Sequence, residues 1–67
     1  MQRPRPRPRV GDLVTYEAFG GLMRTVKVTN VDDDIKNGVP GFDGHSIGIP
    51  TDTYWGYDYQ IVRIERE

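Results

Sequence analysis

The chain contains no cysteine, so no disulfide can brace it. Its 67 residues leave room for one domain, and a domain that small buries a modest share of its surface. No apolar run approaches the length that crosses a bilayer. The N-terminus is basic but has no apolar stretch behind it, so it does not read as a secretory signal, and a cytoplasmic location is expected. No stretch carries apolar residues at helical spacing, and there is no internal repeat. Chemistry-bearing side chains are also scarce. The single histidine, His45, stands beside Ser46 and near Asp43, but neighbours on a strand point to opposite faces and cannot work as a dyad. Asp32-Asp33-Asp34 with Asp43 offers oxygen ligands of the kind a divalent cation takes, yet the spacing matches no calcium loop. No enzymatic activity, metal site or cofactor is expected.

What the chain does have is a divided charge. Residues 3–9 read Arg-Pro-Arg-Pro-Arg-Pro-Arg, and residues 1–9 contain no acid. The remaining residues, 10–67, carry five basic and ten acidic side chains, a net of −5 with His45 neutral. Proline at every second position removes backbone donors and sets φ near the polyproline II value, and it disfavours helix at each preceding residue. The division is therefore a basic arm, residues 1–9, and a folded domain, residues 10–67. The arm is expected to be extended or disordered, with residues 1–8 outside the core. Its four arginines, Arg3, Arg5, Arg7 and Arg9, suit either an anionic partner or the acidic body of the chain itself.

The domain reads as short strands separated by turns. Val10-Gly11-Asp12 leads into a strand over 12–18, Gly20-Gly21 turns it, and a longer alternating stretch follows over 22–31. Asn37-Gly38, Val39-Pro40-Gly41 and Asp43-Gly44 are closely spaced turn signals, so residues 32–45 are read as a long ordered loop. Further strands are expected at 45–49, 52–57 and 61–65, with a single helical turn at Tyr57–Gln60 before the last. Val14, Val26, Val28, Ile47, Trp55, Val62 and Ile64 are the expected core, with Tyr57 and Tyr59 at the surface. Alternation sets Trp55 and Tyr57 on one face of their strand and Tyr54 on the other.

Val10-Gly11-Asp12-x-Val14 at the start of the domain, together with a tight turn before a closing strand at Ile61–Ile64, resembles SH3-like barrels. The combination of Val10–Tyr16, Asp34-Ile35-Lys36-Asn37-Gly38-x-Pro40-Gly41-Phe42 and Trp55-Gly56-Tyr57-Asp58-x-Gln60-Ile61 is similar to a group of short uncharacterised proteins of actinobacteria and their phages. The resemblance implies an all-β, five-stranded SH3-like barrel. It brings no established activity. The connection Glu17–Gly21 is too short to carry the acidic loop and aromatic motif of a peptide-binding SH3 domain.

Seven aromatic side chains are many for so small a core, and exposed aromatic clusters mark binding surfaces. The expected function is a non-enzymatic protein-interaction module. In a phage setting it would be an accessory protein acting on a host protein. The expected contact residues are Ile35, Lys36 and Asn37 of the 32–45 loop with Phe42, Tyr57 and Tyr59. The alternative is nucleic-acid binding through Arg3, Arg5, Arg7 and Arg9. No membrane partner is expected, and the chain is read as a monomer or weak homodimer, with one copy's arm on another's acidic body as a third reading.

Overall fold

The computed structural model describes residues 7–66. It contains β1 (Leu13–Glu17), β2 (Met23–Lys36), β3 (Val39–Ser46), β4 (Ile49–Tyr57) and β5 (Ile61–Glu65), with one 3₁₀ turn at Asp58–Gln60. The five strands form a single antiparallel sheet in the order β4-β3-β2-β1-β5. Among the described residues no helix is long and apolar enough to cross a membrane.

The closing element is where the sequence places it. The 3₁₀ turn follows β4 directly, and β5 then pairs back onto β1 from Leu13↔Glu65 to Tyr16↔Ile61. The Gln60 side chain accepts a hydrogen bond from the Tyr57 backbone N–H at 3.0 Å, which fixes the start of the turn. The barrel itself does not close, because β4 and β5 are the two edges of the sheet. The sheet curls instead. A flat sheet would hold β1 and β4 three strand spacings apart, about 14 Å, yet the Tyr16 hydroxyl donates to the Trp55 carbonyl at 3.3 Å.

The expected loop over 32–45 is absent. β2 runs on through the acidic triplet to Lys36, turns at Asn37-Gly38, and returns as β3. Asn37 and Gly38 have φ of 57° and 74°, the left-handed pair that a two-residue hairpin turn requires to match strand twist. The aspartates do not break the strand, because they satisfy its irregular part. Asp32 Oδ1 accepts from the Asp34 N–H at 2.8 Å, and Asp34 Oδ1 accepts from the Gly38 N–H at 2.7 Å. The register shifts between Asp32 and Lys36, and Pro40 sits opposite that irregularity, where a missing donor is tolerated. The expected strand at 45–49 is divided by a second turn, Ile47-Gly48, and Pro50-Thr51 belongs to edge strand β4.

Val14, Tyr16, Val26, Val28 and Phe42 form the buried core. Val14, Val26 and Val28 are as expected, whereas Ile47 and Val62 are 60% and 64% exposed. Ile47 is on a turn. Val62 faces outward because a bulge between Thr15 and Tyr16 shifts the pairing of β5. That shift changes parity, so Ile61 and Ile64 both pack against the core. Tyr16 meets Phe42 edge to face, with centroids 5.1 Å apart. Gly56 lies over this pair: a Cβ there would come within 2.8 Å of Phe42 and 2.9 Å of Tyr16. β4 therefore approaches the core at a point where no side chain fits.

The arm also departs from expectation. The expectation for residues 1–6 lies outside the described residues. Arg7–Arg9 has no regular secondary structure, but Pro8 is buried, so residues 7 and 8 are not free of the body.

Candidate partner-binding surface

Gly56 faces inward, so strand alternation turns Trp55 and Tyr57 to the opposite face of β4. The 3₁₀ turn then presents Tyr59 beside them, and the short β1–β2 connection brings Phe19 to the same face. The Ala18 N–H donates to the Leu22 carbonyl at 2.7 Å and the Gly21 N–H to the Ala18 carbonyl at 3.0 Å, which hold this connection tight. The rings are contiguous. Phe19 lies 5.9 Å from Trp55 and 6.0 Å from Tyr57 between centroids. Trp55 meets Tyr57 edge-on at 5.1 Å, and Tyr57 stacks on Tyr59 at 5.2 Å with an interplanar angle of 17°. Lys36, at the end of β2, sets its Nζ 4.3 Å from the Trp55 centroid, a cation–π contact that caps one end of the row. On the Tyr59 side, an open groove of about 460 Å³ runs between Glu17–Gly21 and Tyr59–Val62.

Of the residues expected to meet a partner, Lys36 and Tyr59 lie on this surface and are exposed. Tyr57 is on the same face but only 8% exposed, roofed by its aromatic neighbours. Asn37 is at the exposed hairpin tip, and Ile35 is half-buried, close above Gly41. Phe42 is fully buried and belongs to the core, because the segment expected to be a loop is a strand whose residue 42 points inward. Two members of the surface escaped the sequence reading. Trp55, expected in the core, is half-buried in the outer row, and Phe19 is 63% exposed. The signal available for Phe19 was an aromatic isolated in a Gly-flanked connection with no apolar residue beside it except Ala18.

A second constellation surrounds the described end of the arm. Asp12 and Asp58 are the buried charged side chains among the described residues, and both hold residues 7–9. Arg7 donates from Nε to Asp58 Oδ2 at 3.1 Å and pairs through Nη1 with Asp33 Oδ1 at 2.8 Å. The Arg9 backbone N–H donates to Asp12 Oδ2 at 2.9 Å, and the Asp12 N–H returns a bond to the Arg9 carbonyl at 3.0 Å. Arg66 lies 3.4 Å from Asp12 Oδ2 and donates to the Arg7 carbonyl at 3.1 Å. Burial pushes the Asp58 carboxyl above its ordinary value, and neighbouring Arg7 pulls against that shift. Of the arginines named for nucleic acid, Arg3 and Arg5 lie outside the described residues, and Arg7 is committed to two carboxylates. Arg9 is exposed.

Elsewhere, the His45 Nδ1–H donates to the Ser46 carbonyl at 2.9 Å, while the Ser46 hydroxyl donates to Asp52 Oδ2. The Tyr54 hydroxyl donates to the same oxygen at 3.0 Å. These two hydroxyls, Ser46 first, hold the Asp52 carboxyl below its ordinary value. The Ser46 hydroxyl thus binds a carboxylate across the β3–β4 turn and does not face the imidazole. No protein family, curated protein or solved structure matches the chain.

Proposed function

We propose that the protein is a non-enzymatic interaction module that binds an extended segment of a protein partner across the Phe19–Trp55–Tyr57–Tyr59 surface. The observation that carries this reading is the aromatic row itself. Four rings from three separate elements form one contiguous group, and Phe19 and Tyr59 within it are more than half exposed. Aromatic side chains with exposed edges are the usual anchors of protein interfaces. Nucleic acid fits the surface less well, because the body carries a net −5 over residues 10–67 and would repel a phosphate backbone beyond the reach of any arginine. In the phage setting that the resemblance implies, the partner would be a host protein.

The test is selection from a random peptide library, with chemical-shift mapping of the selected ligand. Peptides retained by the parent should map to Phe19, Trp55 and Tyr59 and should lose about 30-fold in affinity with Trp55→Ala, the effect of removing an interface anchor worth about 2 kcal/mol. Ligands that map to another face would refute the reading. So would sub-micromolar binding of single-stranded DNA or RNA at about 0.15 M salt.

A further inference from the structure

We propose that the seat formed by Asp58, Asp33, Val39, Pro40 and Tyr59 is a recognition site for an arginine next to a proline, carried on an extended segment of a partner protein. The Arg7 side chain occupies its charged end as an internal competitor. The site shares only Tyr59 with the aromatic surface, and its argument is independent of that surface.

The first ground is that Arg7 underuses the seat. A carboxylate can take a guanidinium through two parallel N–H···O bonds. Arg7 gives Asp58 only Nε, to Oδ2, and sends Nη1 away to Asp33. Among the described residues, Asp58 Oδ1 is left buried with no hydrogen-bond partner. The Asp58 side chain is only 5% exposed, so that oxygen has lost water and gained nothing. An arginine not tied to this chain through Pro8 is free to approach with both nitrogens on one edge and satisfy both oxygens.

The second ground is that part of the hold on the internal occupant, its pair with Asp33, lies at the surface. The Arg7 side chain is half exposed and Asp33 almost fully so, and an ion pair in that setting contributes little. Arg9, through its backbone bonds with Asp12, keeps the chain anchored when the Arg7 side chain leaves.

The third ground is the space beside the guanidinium. A hollow of about 170 Å³ is lined by Val39, Pro40 and Tyr59 together with Arg7 and Asp58. Its walls apart from the charged pair are apolar, and the rings of Pro40 and Tyr59 suit the ring of a proline next to the incoming arginine. The net −5 of residues 10–67 draws in a cationic segment and turns away a phosphate.

The probe is the blocked hexapeptide Arg-Pro-Arg-Pro-Arg-Pro, titrated into the full chain and into a variant carrying Arg3→Ala, Arg5→Ala and Arg7→Ala, which has no arginine left to compete from its own Arg-Pro repeats. The variant should bind the probe about tenfold more tightly than the parent, because a seat that is vacant only about a tenth of the time weakens apparent affinity by that factor. Adding Asp58→Asn to the variant should abolish the gain. A probe with lysine in place of arginine should not show it, since an ammonium cannot bridge both oxygens. Equal binding by parent and variant, or a gain that survives Asp58→Asn, overturns the proposal. So does concentration-dependent self-association of the parent that the variant loses, which would assign the seat to a second copy's arm. Should the variant not fold, amide shifts in the titrated parent decide: changes at Val39, Asp58 and Tyr59 support the site, and changes confined elsewhere, or none, overturn it.

Discussion

Arg7–Arg9 is held to the body by side-chain charge; the β2–β3 hairpin is held by a backbone ladder. Aspartate serves both regions in opposite environments. Asp58 and Asp12 are buried and take guanidinium and backbone groups from the arm. Asp32 and Asp34 are exposed and cap backbone N–H groups within the hairpin. Proline accounts for the division. Pro8 has no N–H to offer a ladder, so the arm's attachment must come from side chains and from isolated backbone groups. In the hairpin, only Pro40 lacks a donor, and it sits at an irregularity. A backbone ladder is nearly indifferent to pH and salt, whereas a charge seat responds to both. The two regions should therefore fail under different perturbations.

The largest effect is expected where the ladder carries the core. Phe42→Ala removes a fully buried ring from β3 and should cost about 3–5 kcal/mol. That is a large fraction of the stability of a domain this size. Denaturant unfolding measures it, and a midpoint close to that of the parent would show that the hairpin is held without its packed face.

A smaller and asymmetric effect is expected at the arm seat. Arg7→Ala strands the buried Asp58 carboxylate without its cation, whereas Asp58→Asn releases a half-exposed guanidinium to water. Removing the exposed partner should therefore lower the melting temperature more than removing the buried one. Deleting residues 2–8 should act in the same direction as Arg7→Ala. Raising the salt concentration should narrow the gap between parent and Arg7→Ala, because the Asp33 arm of the pair is screened. Equal melting temperatures for the two single variants would mean that Asp58 regains water when Arg7 is gone.

The smallest effect is in the pH dependence, where Asp58 at the arm seat and Asp52 beside the β3–β4 turn differ in sign. Asp58 titrates above its ordinary value because it is buried. Between the ordinary and the raised value the folded state binds more protons than the unfolded state, so this group's contribution to stability falls as pH rises through that window. Asp52, bonded to Ser46 and Tyr54 across the β3–β4 turn, titrates below its ordinary value. Its contribution is present in full above that ordinary value and is lost as pH falls through the lowered one. Melting temperatures measured from about pH 3 to about pH 7, a range that spans the carboxylate values, should diverge. Relative to the parent, Asp58→Asn gains as pH rises and Asp52→Asn loses. Curves that run parallel for both variants would contradict these assignments.

Much of the architecture was legible in the residues. The alternation at Val14-Thr15-Tyr16 and Val26-Lys27-Val28 placed the first hairpin. Trp55-Gly56-Tyr57-Asp58-Tyr59-Gln60-Ile61 located the 3₁₀ turn and the closing strand, because both rest on local backbone preferences. The acidic triplet misled. Asp32-Asp33-Asp34 has poor strand propensity, and only the pairing partner across Asn37-Gly38 shows that the strand continues through it. The surface was harder to read than the fold. Lys36 and Tyr59 were found as polar and aromatic residues beside turns. Phe19 and Trp55 join them only because the sheet curls until the β1–β2 connection and β4 meet. Composition alone set the absence of disulfides, the basic segment and the acidic body. Whether the two charges met was a matter of distance: sequence separates Arg7 from Asp58 by 51 positions, and the fold alone buries that carboxylate within reach of the Arg7 guanidinium.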